Sequence, residues 1–238
     1  MRNVGVIVQA RMGSKRLPGK IMKKIINKPM IEILLDRISK SKMINEIIVA
    51  TSDKPDNLEF IDYLKFKNIN YFIGDEEDVL SRYYFTAKKH NINDIVRITA
   101  DCPLIDPKVI DNTVIKFIKD NVDYTSNIFP RSYPKGLDTE VFSFESLQKA
   151  NIEANSEYDR EHVTTYIRES GNFKISNLSY IKDYSNYRLT VDWEEDFKLI
   201  DKIFNFFKPN IFFSWLDIVD LFKKNPELIL INNHLNKQ

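Results

Sequence analysis

Short apolar runs alternate with amphipathic stretches through the first half of the chain. Val4–Val8 reads as a buried strand, and after a polar loop Met30–Ser39 carries Ile31, Leu34, Leu35 and Ile38 on one helical face. Ile47–Thr51 predicts a second strand, Leu58–Phe66 a helix and Ile69–Ile73 a third strand. Val79–Lys89 follows as a helix and Asp94–Thr99 as a fourth strand. Asp106 before Pro107 is a cap-and-first-turn pair that opens a helix to about Lys119. Strand and helix alternating at this spacing predict right-handed βαβ units, hence an α/β fold with a mostly parallel sheet flanked by helices. Ligands of such sheets sit beyond the carboxyl ends of the strands, which directs attention to the loops after Val8, Ile73, Thr99 and Val191.

Beyond about Val122 the pattern changes. Tyr124–Asn127, Glu140–Phe144 and Phe173–Leu178 read as strands, with helices at Glu145–Ala154 and Arg160–Glu169 between the last two. Tyr187–Val191 returns to the buried-strand pattern, and helices are predicted at Glu194–Phe207 and Trp215–Lys223. With no internal repeat or linker, residues 1–238 are expected to form one domain with an inserted α+β subregion at about 124–178. The apolar share of 43% and charged share of 29% exclude wholesale disorder. A net charge of +1 gives no footprint for nucleic acid or an anionic membrane, so any anion site must be local. The one cysteine, Cys102, excludes a disulfide framework, and with no membrane span or signal segment evident a cytoplasmic protein is expected.

Local charge is concentrated in the loop after the first strand. Gln9-Ala10-Arg11-Met12-Gly13-Ser14-Lys15-Arg16-Leu17-Pro18-Gly19-Lys20 holds four cations in twelve residues, with Gly13 and Gly19 able to bring backbone N–H groups close to a ligand. Either a phosphate-binding loop or a solvated basic loop satisfies this composition. It is not a Walker A loop, because five residues separate the glycines and Ile21 stands where Ser or Thr is required. No two of the six glycines are two residues apart, which excludes a dinucleotide fingerprint.

This loop resembles the signature of the sugar-nucleotide cytidylyltransferases, in particular the spore-coat-polysaccharide branch beside the acylneuraminate and 3-deoxy-manno-octulosonate enzymes. Further blocks resemble that branch in the same order: Gly74–Arg82, Arg97–Asp106, Gly136–Phe142, Asp159–Thr164, and Arg188–Asp192 followed by Glu195-Asp196-Phe197. The departures are Ala100 in place of the usual Gly, Thr165 in place of Pro and Trp193 in place of Thr, and the last forty residues match nothing specific. The resemblance implies a Rossmann-like, nucleotide-diphospho-sugar-transferase-like fold. It also implies transfer of CMP from CTP to a sugar acid or to a phosphorylated or phosphonate acceptor, with release of pyrophosphate.

By resemblance Arg11 and Lys20 hold the triphosphate and Lys15 or Arg16 assists on the leaving group, with Gln9, Ala10, Gly13 and Ser14 completing the loop. Asp101 and Asp192 each end an apolar run and project from the carboxyl edge of the sheet, a pairing that suits Mg²⁺. The resembling family places its metal on the matching aspartates. From the residues alone, Asp101 suits a turn equally, and Asp192 suits a cap for the helix three residues on. Asp75 and Arg82 are expected to border the nucleotide. Asp138, Glu140, Arg160 and His162 are expected on the acceptor side, with Asp138 and Glu140 on one face of a strand. Cys102 reads as a packing residue. A homodimer is expected through the inserted subregion, with Phe129, Tyr133 and Tyr166 on its surface. Rival classes are a uridylyl- or guanylyltransferase, a nucleotide-sugar glycosyltransferase (disfavoured because no Asp-x-Asp occurs) and a non-catalytic nucleotide-binding protein.

Overall fold

The computed structural model describes residues 2–237. The chain begins with β1 (Val4–Gln9) and, after the basic loop, a two-residue-per-strand hairpin, β2 (Lys24–Ile25) with β3 (Lys28–Pro29). Then come α1 (Met30–Ile38), β4 (Glu46–Ser52), α2 (Leu58–Phe66), β5 (Tyr71–Gly74), α3 (Val79–Lys89) and β6 (Asp94–Thr99). α4 (Pro107–Asp120) leads to β7 (Tyr124–Ser126), β8 (Glu140–Ser143), α5 (Phe144–Glu153), α6 (Glu157–His162), α7 (Thr165–Glu169) and β9 (Ile175–Asn177). Two long helices close the chain, α8 (Glu194–Phe207) and α9 (Trp215–Lys224), followed by short 3₁₀ turns.

The main sheet has seven strands in the order β5-β4-β1-β6-β8-β7-β9. β5, β4, β1 and β6 are parallel, as βαβ connections require, and β8 reverses direction against β6. The segment 124–178 therefore extends the same sheet through β8, β7 and β9. Both faces of the central strands are covered, which is why β1 reads as a continuous apolar run. Val4, Val6 and Val8 pack with Ile31, Leu34, Leu199, Phe204 and Ile218 on one side. On the other, Ile7, Ile48 and Ala50 meet Leu80, Tyr83, Leu147 and Ile167.

Local chemistry starts the helices where the sequence pattern placed them. Asp106 accepts the Lys108 N–H at 2.8 Å with Pro107 in the first turn, and Asp78 caps α3 through the Ser81 N–H at 2.9 Å. The other Asp106 oxygen accepts the Trp215 N–H at 2.9 Å and so also seats the start of α9. Arg37, fully buried on α1, has no carboxylate ion-pair partner among the described residues. Its guanidinium donates to the carbonyls of Leu104, Ile105, Ile211 and Phe213, joining the loop after β6 to the α8–α9 connection. Burial pulls its pKa down to about 10.

Three expectations need correction. Tyr187–Val191 is extended and buried but is not a strand of the sheet. β6 already has β1 and β8 as neighbours, so the run makes single contacts instead, Leu189 N–H to the Lys135 carbonyl at 2.7 Å and Val191 N–H to that of Asp101 at 2.8 Å. The helix expected over 160–169 is two helices, because Val163 breaks it at φ 65°, a conformation that strains a β-branched residue. Tyr133 is 4% exposed and packs against Trp215 at 5.4 Å between ring centres, so it contributes nothing to the surface, whereas Phe129 is exposed. Among the described residues no helix is long and apolar enough to cross a membrane.

Candidate active site

Gln9 at the end of β1 pairs with Thr99 at the end of β6, so the basic loop and the loop carrying Asp101 leave the sheet side by side. The basic loop folds over the Met12 carbonyl, which accepts the N–H groups of Ser14 at 2.8 Å and Gly19 at 3.1 Å. Gly19 has φ 66°, a left-handed turn that glycine adopts without strain, and it aims the next residue, Lys20, inward. On the outer side Asn57 accepts the Met12 N–H at 2.8 Å, while Glu76 receives Arg11 at 2.8 Å and the Ser52 hydroxyl. The loop is thus pinned to the ends of β4 and β5.

The segment 188–192 docks on the Asp101 carbonyl through Val191 and Thr190, which brings Asp192 beside Asp101. Lys20 bridges them. Its ammonium lies 3.4 Å from Asp101 Oδ2, 3.1 Å from Asp192 Oδ1 and 2.7 Å from the Val191 carbonyl. Asp192 Oδ1 also meets Arg16 at 2.7 Å, and its Oδ2 meets Arg188 at 3.0 Å. Burial alone would raise the Asp192 pKa, but Lys20, Arg16 and Arg188 outweigh it and hold the carboxyl below its usual value.

Behind this group sits a second, fully buried carboxylate. Asp196 binds Arg188 through two hydrogen bonds of 2.8 Å and accepts the Asp192 N–H at 2.9 Å and the Trp193 N–H at 3.1 Å. Asn232, near the chain end, donates to it at 2.8 Å. Asp196 rather than Asp192 therefore ties the start of α8, and Asp192 is left facing the cavity.

That cavity, about 360 Å³, is lined by Gln9, Ala10, Arg11, Gly13, Ser14, Lys15, Arg16 and Lys20 of the loop together with Asp101 and Asp192. Thr99, Ala100, Ile21 and Glu161 complete it. The donor chemistry fits a divalent cation. Two carboxylates already share one positive centre, and among the described residues no group of three or more His, Cys, Asp or Glu is arranged to hold a metal ion by itself. Remaining coordination would fall to ligand oxygens and water, as Mg²⁺ prefers.

The other expected residues are not among those lining this cavity. Asp75 accepts the Glu77 and Asp78 N–H groups at 2.8 Å, a turn that leads into α3. Arg82 is 1% exposed and donates to the Asp75 carbonyl, so it is neither on a solvated face nor in the cavity. Asp138 lies before β8 rather than on it and holds Arg131 at 2.5 and 2.8 Å. Glu140 is buried against Arg97 at 2.7 Å, and Arg97 in turn reaches Gln9 Oε1 at 3.4 Å. Arg160 is committed to Asp78 and to the Asn151 carbonyl at 2.8 Å, and His162 is exposed beside Tyr158. Cys102 is buried and its thiol is pushed up by desolvation, which leaves it a packing residue.

Sequence reading missed Glu161, Glu76, Arg188, Asp196 and Asn232. Glu76, Glu161, Arg188 and Asp196 lie inside the motif blocks but were given no role there, and Asp196 also stands three residues after Trp193, the same spacing that was read as Asp192 to Glu195.

A mostly parallel sheet whose carboxyl edge carries a basic glycine loop opposite two aspartates defines a nucleotidyltransferase with a Rossmann-like fold. Residues 5–217 match the family described as cytidylyltransferase. A protein of Methanocaldococcus jannaschii of uncharacterized function is 39% identical over all of this chain and 97% of its own. The spore coat polysaccharide biosynthesis protein SpsF of Bacillus subtilis is 29% identical over 95% of this chain and 97% of its own. Among solved structures, a cytidylyltransferase from Leptospira borgpetersenii superposes with a TM-score of 0.91 at 34% identity, covering 96% of this chain and 97% of that one. The chain belongs to the cytidylyltransferase family.

Proposed function

We propose that this cytidylyltransferase transfers CMP from CTP to a hydroxyl of a small sugar acid or a phosphorylated or phosphonate compound, releasing pyrophosphate. The observation that carries the reading is the Lys20 bridge between Asp101 and Asp192 on the floor of a cavity walled by Arg11, Lys15 and Arg16. The relative named for polysaccharide biosynthesis favours a sugar-derived acceptor.

The acceptor oxygen attacks the α-phosphorus in line with the departing pyrophosphate, so catalysis is mainly positioning and charge neutralisation. Arg11 is anchored by Glu76 through one nitrogen, which leaves its remaining donors for phosphate oxygens. Lys15 and Arg16, exposed on the rim, offset the charge that accumulates on pyrophosphate. Asp101 and Asp192 are the residues that would hold Mg²⁺, and Lys20 then has the phosphates as its partner. When bound, the ion supplies charge neutralisation for the transferring phosphate. The buried Arg97–Glu140 pair fixes Gln9 from behind and so shapes the cavity floor.

Pyrophosphate release measured with each of the four nucleoside triphosphates, Mg²⁺ and a panel of such acceptors tests the reading. Turnover is expected with CTP and to stop on chelation. Turnover with UTP or GTP but not CTP overturns the base assignment.

A further inference from the structure

Attack by a hydroxyl at phosphorus needs somewhere for its proton to go, and the cavity carboxylates differ in their freedom to take one. Asp192 has both oxygens engaged by cations. Asp101 accepts from Thr99 on one oxygen and faces Lys20 with the other. Glu161 is the one cavity carboxylate with no hydrogen bond or ion pair among the described residues.

The helix that carries it is held in place by its neighbours, while the Glu161 side chain itself is exposed. Arg160 ties α6 to Asp78 at the start of α3 and to the Asn151 carbonyl of α5. Ser156 accepts the Asp159 N–H at 3.0 Å at one end, and the Val163 turn ends the helix at the other. Arg160 and His162 flank Glu161 in sequence, but the first is fully engaged and the second packs edge-on against Tyr158 at 4.4 Å between ring centres. Among the described residues Glu161 alone lines both the loop cavity and an adjoining one of about 400 Å³ between the turn before α3 and α6.

We infer that Glu161 is the general base of the transfer, an assignment that rests on the reading proposed above. The acceptor O–H bond breaks as its oxygen forms the new bond to the α-phosphorus. The bond from that phosphorus to its bridging oxygen breaks with the electron pair leaving on pyrophosphate, and the proton ends on the Glu161 carboxylate. The ion pairs of Asp101 and Asp192 keep those two groups in the charge-neutralising role.

The full chain with CTP and Mg²⁺ tests this by formation of CMP or its conjugate, with water or molar glycerol as the hydroxyl donor. Glu161→Gln should lower kcat by about 10²- to 10⁴-fold, the usual contribution of a general base, while CTP affinity by titration calorimetry changes by less than about twofold. Added formate should restore part of the rate to Glu161→Ala and leave the wild type unaffected. Normal CTP binding with kcat within about threefold of wild type in Glu161→Gln overturns the assignment. So does a wild type that binds CTP yet forms no product from either hydroxyl donor. A wild type that binds no CTP instead sinks the cytidylyl-transfer reading itself, and the base with it.

Discussion

Replacing Asp196 by Asn tests whether the site depends on the carboxylate behind it. Asp196 is 0% exposed and receives two bonds from Arg188, two from the N–H groups of Asp192 and Trp193 and one from Asn232. An amide turns one of the two acceptors into a donor aimed at groups that also donate. Breaking a buried pair by removing one partner costs about 3–5 kcal/mol. Arg188 keeps Asp192 at 3.0 Å and the Asn oxygen keeps part of the set, so the low end, about 3 kcal/mol, is expected. For a chain of this length that is a fall in Tm of about 6–12 °C. Burial opposes ionisation of Asp196, but Arg188, the Asp192 N–H and Asn232 prevail and lower its pKa below 3.8. Its contribution is therefore complete above about pH 4 and is lost as pH falls through the depressed native value. Urea unfolding of both proteins from pH 7 to pH 3 should show a gap that is widest at neutral pH and begins to narrow below about pH 4. A Tm change under about 2 °C at pH 7, or a gap of constant size across the series, would refute the reasoning.

Three further substitutions separate chemistry from folding. Lys20→Ala should cost about 2–4 kcal/mol of transition-state stabilisation, roughly a thirtyfold to several-hundredfold fall in rate, measured against Lys223→Ala as a surface control; near-normal turnover in Lys20→Ala would show that the phosphate loop is misassigned. Asp101→Asn should melt near wild type and Asp192→Asn, which gives up its charge beside Lys20, Arg16 and Arg188, a few degrees lower, yet both should raise the Mg²⁺ concentration needed for half-maximal rate. Their losses should be non-additive in the double variant, because both serve one ion; an Asp192→Asn enzyme with an unchanged magnesium requirement would leave Asp101 alone as a ligand.

The strands and helices of the parallel half were legible because each buries a face with the period of its own geometry. Leu58–Phe66, Val79–Lys89 and Asp94–Thr99 have the same bounds in sequence pattern and structure. Tyr187–Val191 was misread because an apolar run signals burial, not a vacant place beside β6. The basic loop and Asp101 stood out from charge against a neutral background and from position just past a strand, and Asp192 from its place at the end of a buried apolar run, though that run is not a strand. The acceptor-side candidates were not, because an Arg or Glu in a motif looks the same whether it faces a ligand or a partner across the fold. Arg160 with Asp78 and Glu140 with Arg97 join residues 82 and 43 positions apart, a separation that no local pattern reports. Glu161 escaped notice because what marks it is the engagement of its neighbours.

The four carbonyls gathered by Arg37 have a consequence for how the chain is made. α1 is synthesised early, yet two of its acceptors, Ile211 and Phe213, and much of the layer over Val4, Val6 and Val8 come from the last fifth of the sequence. At about 5–20 residues per second, a ribosome takes roughly 5–20 s to go from the end of α4 to the end of α9. During that interval the first βαβ units show an uncovered apolar face and a buried-type arginine with only two of its four partners. The nascent chain is therefore expected to be a client of holding chaperones until α9 emerges, and truncation before Trp215 should yield aggregated protein, not a smaller folded one.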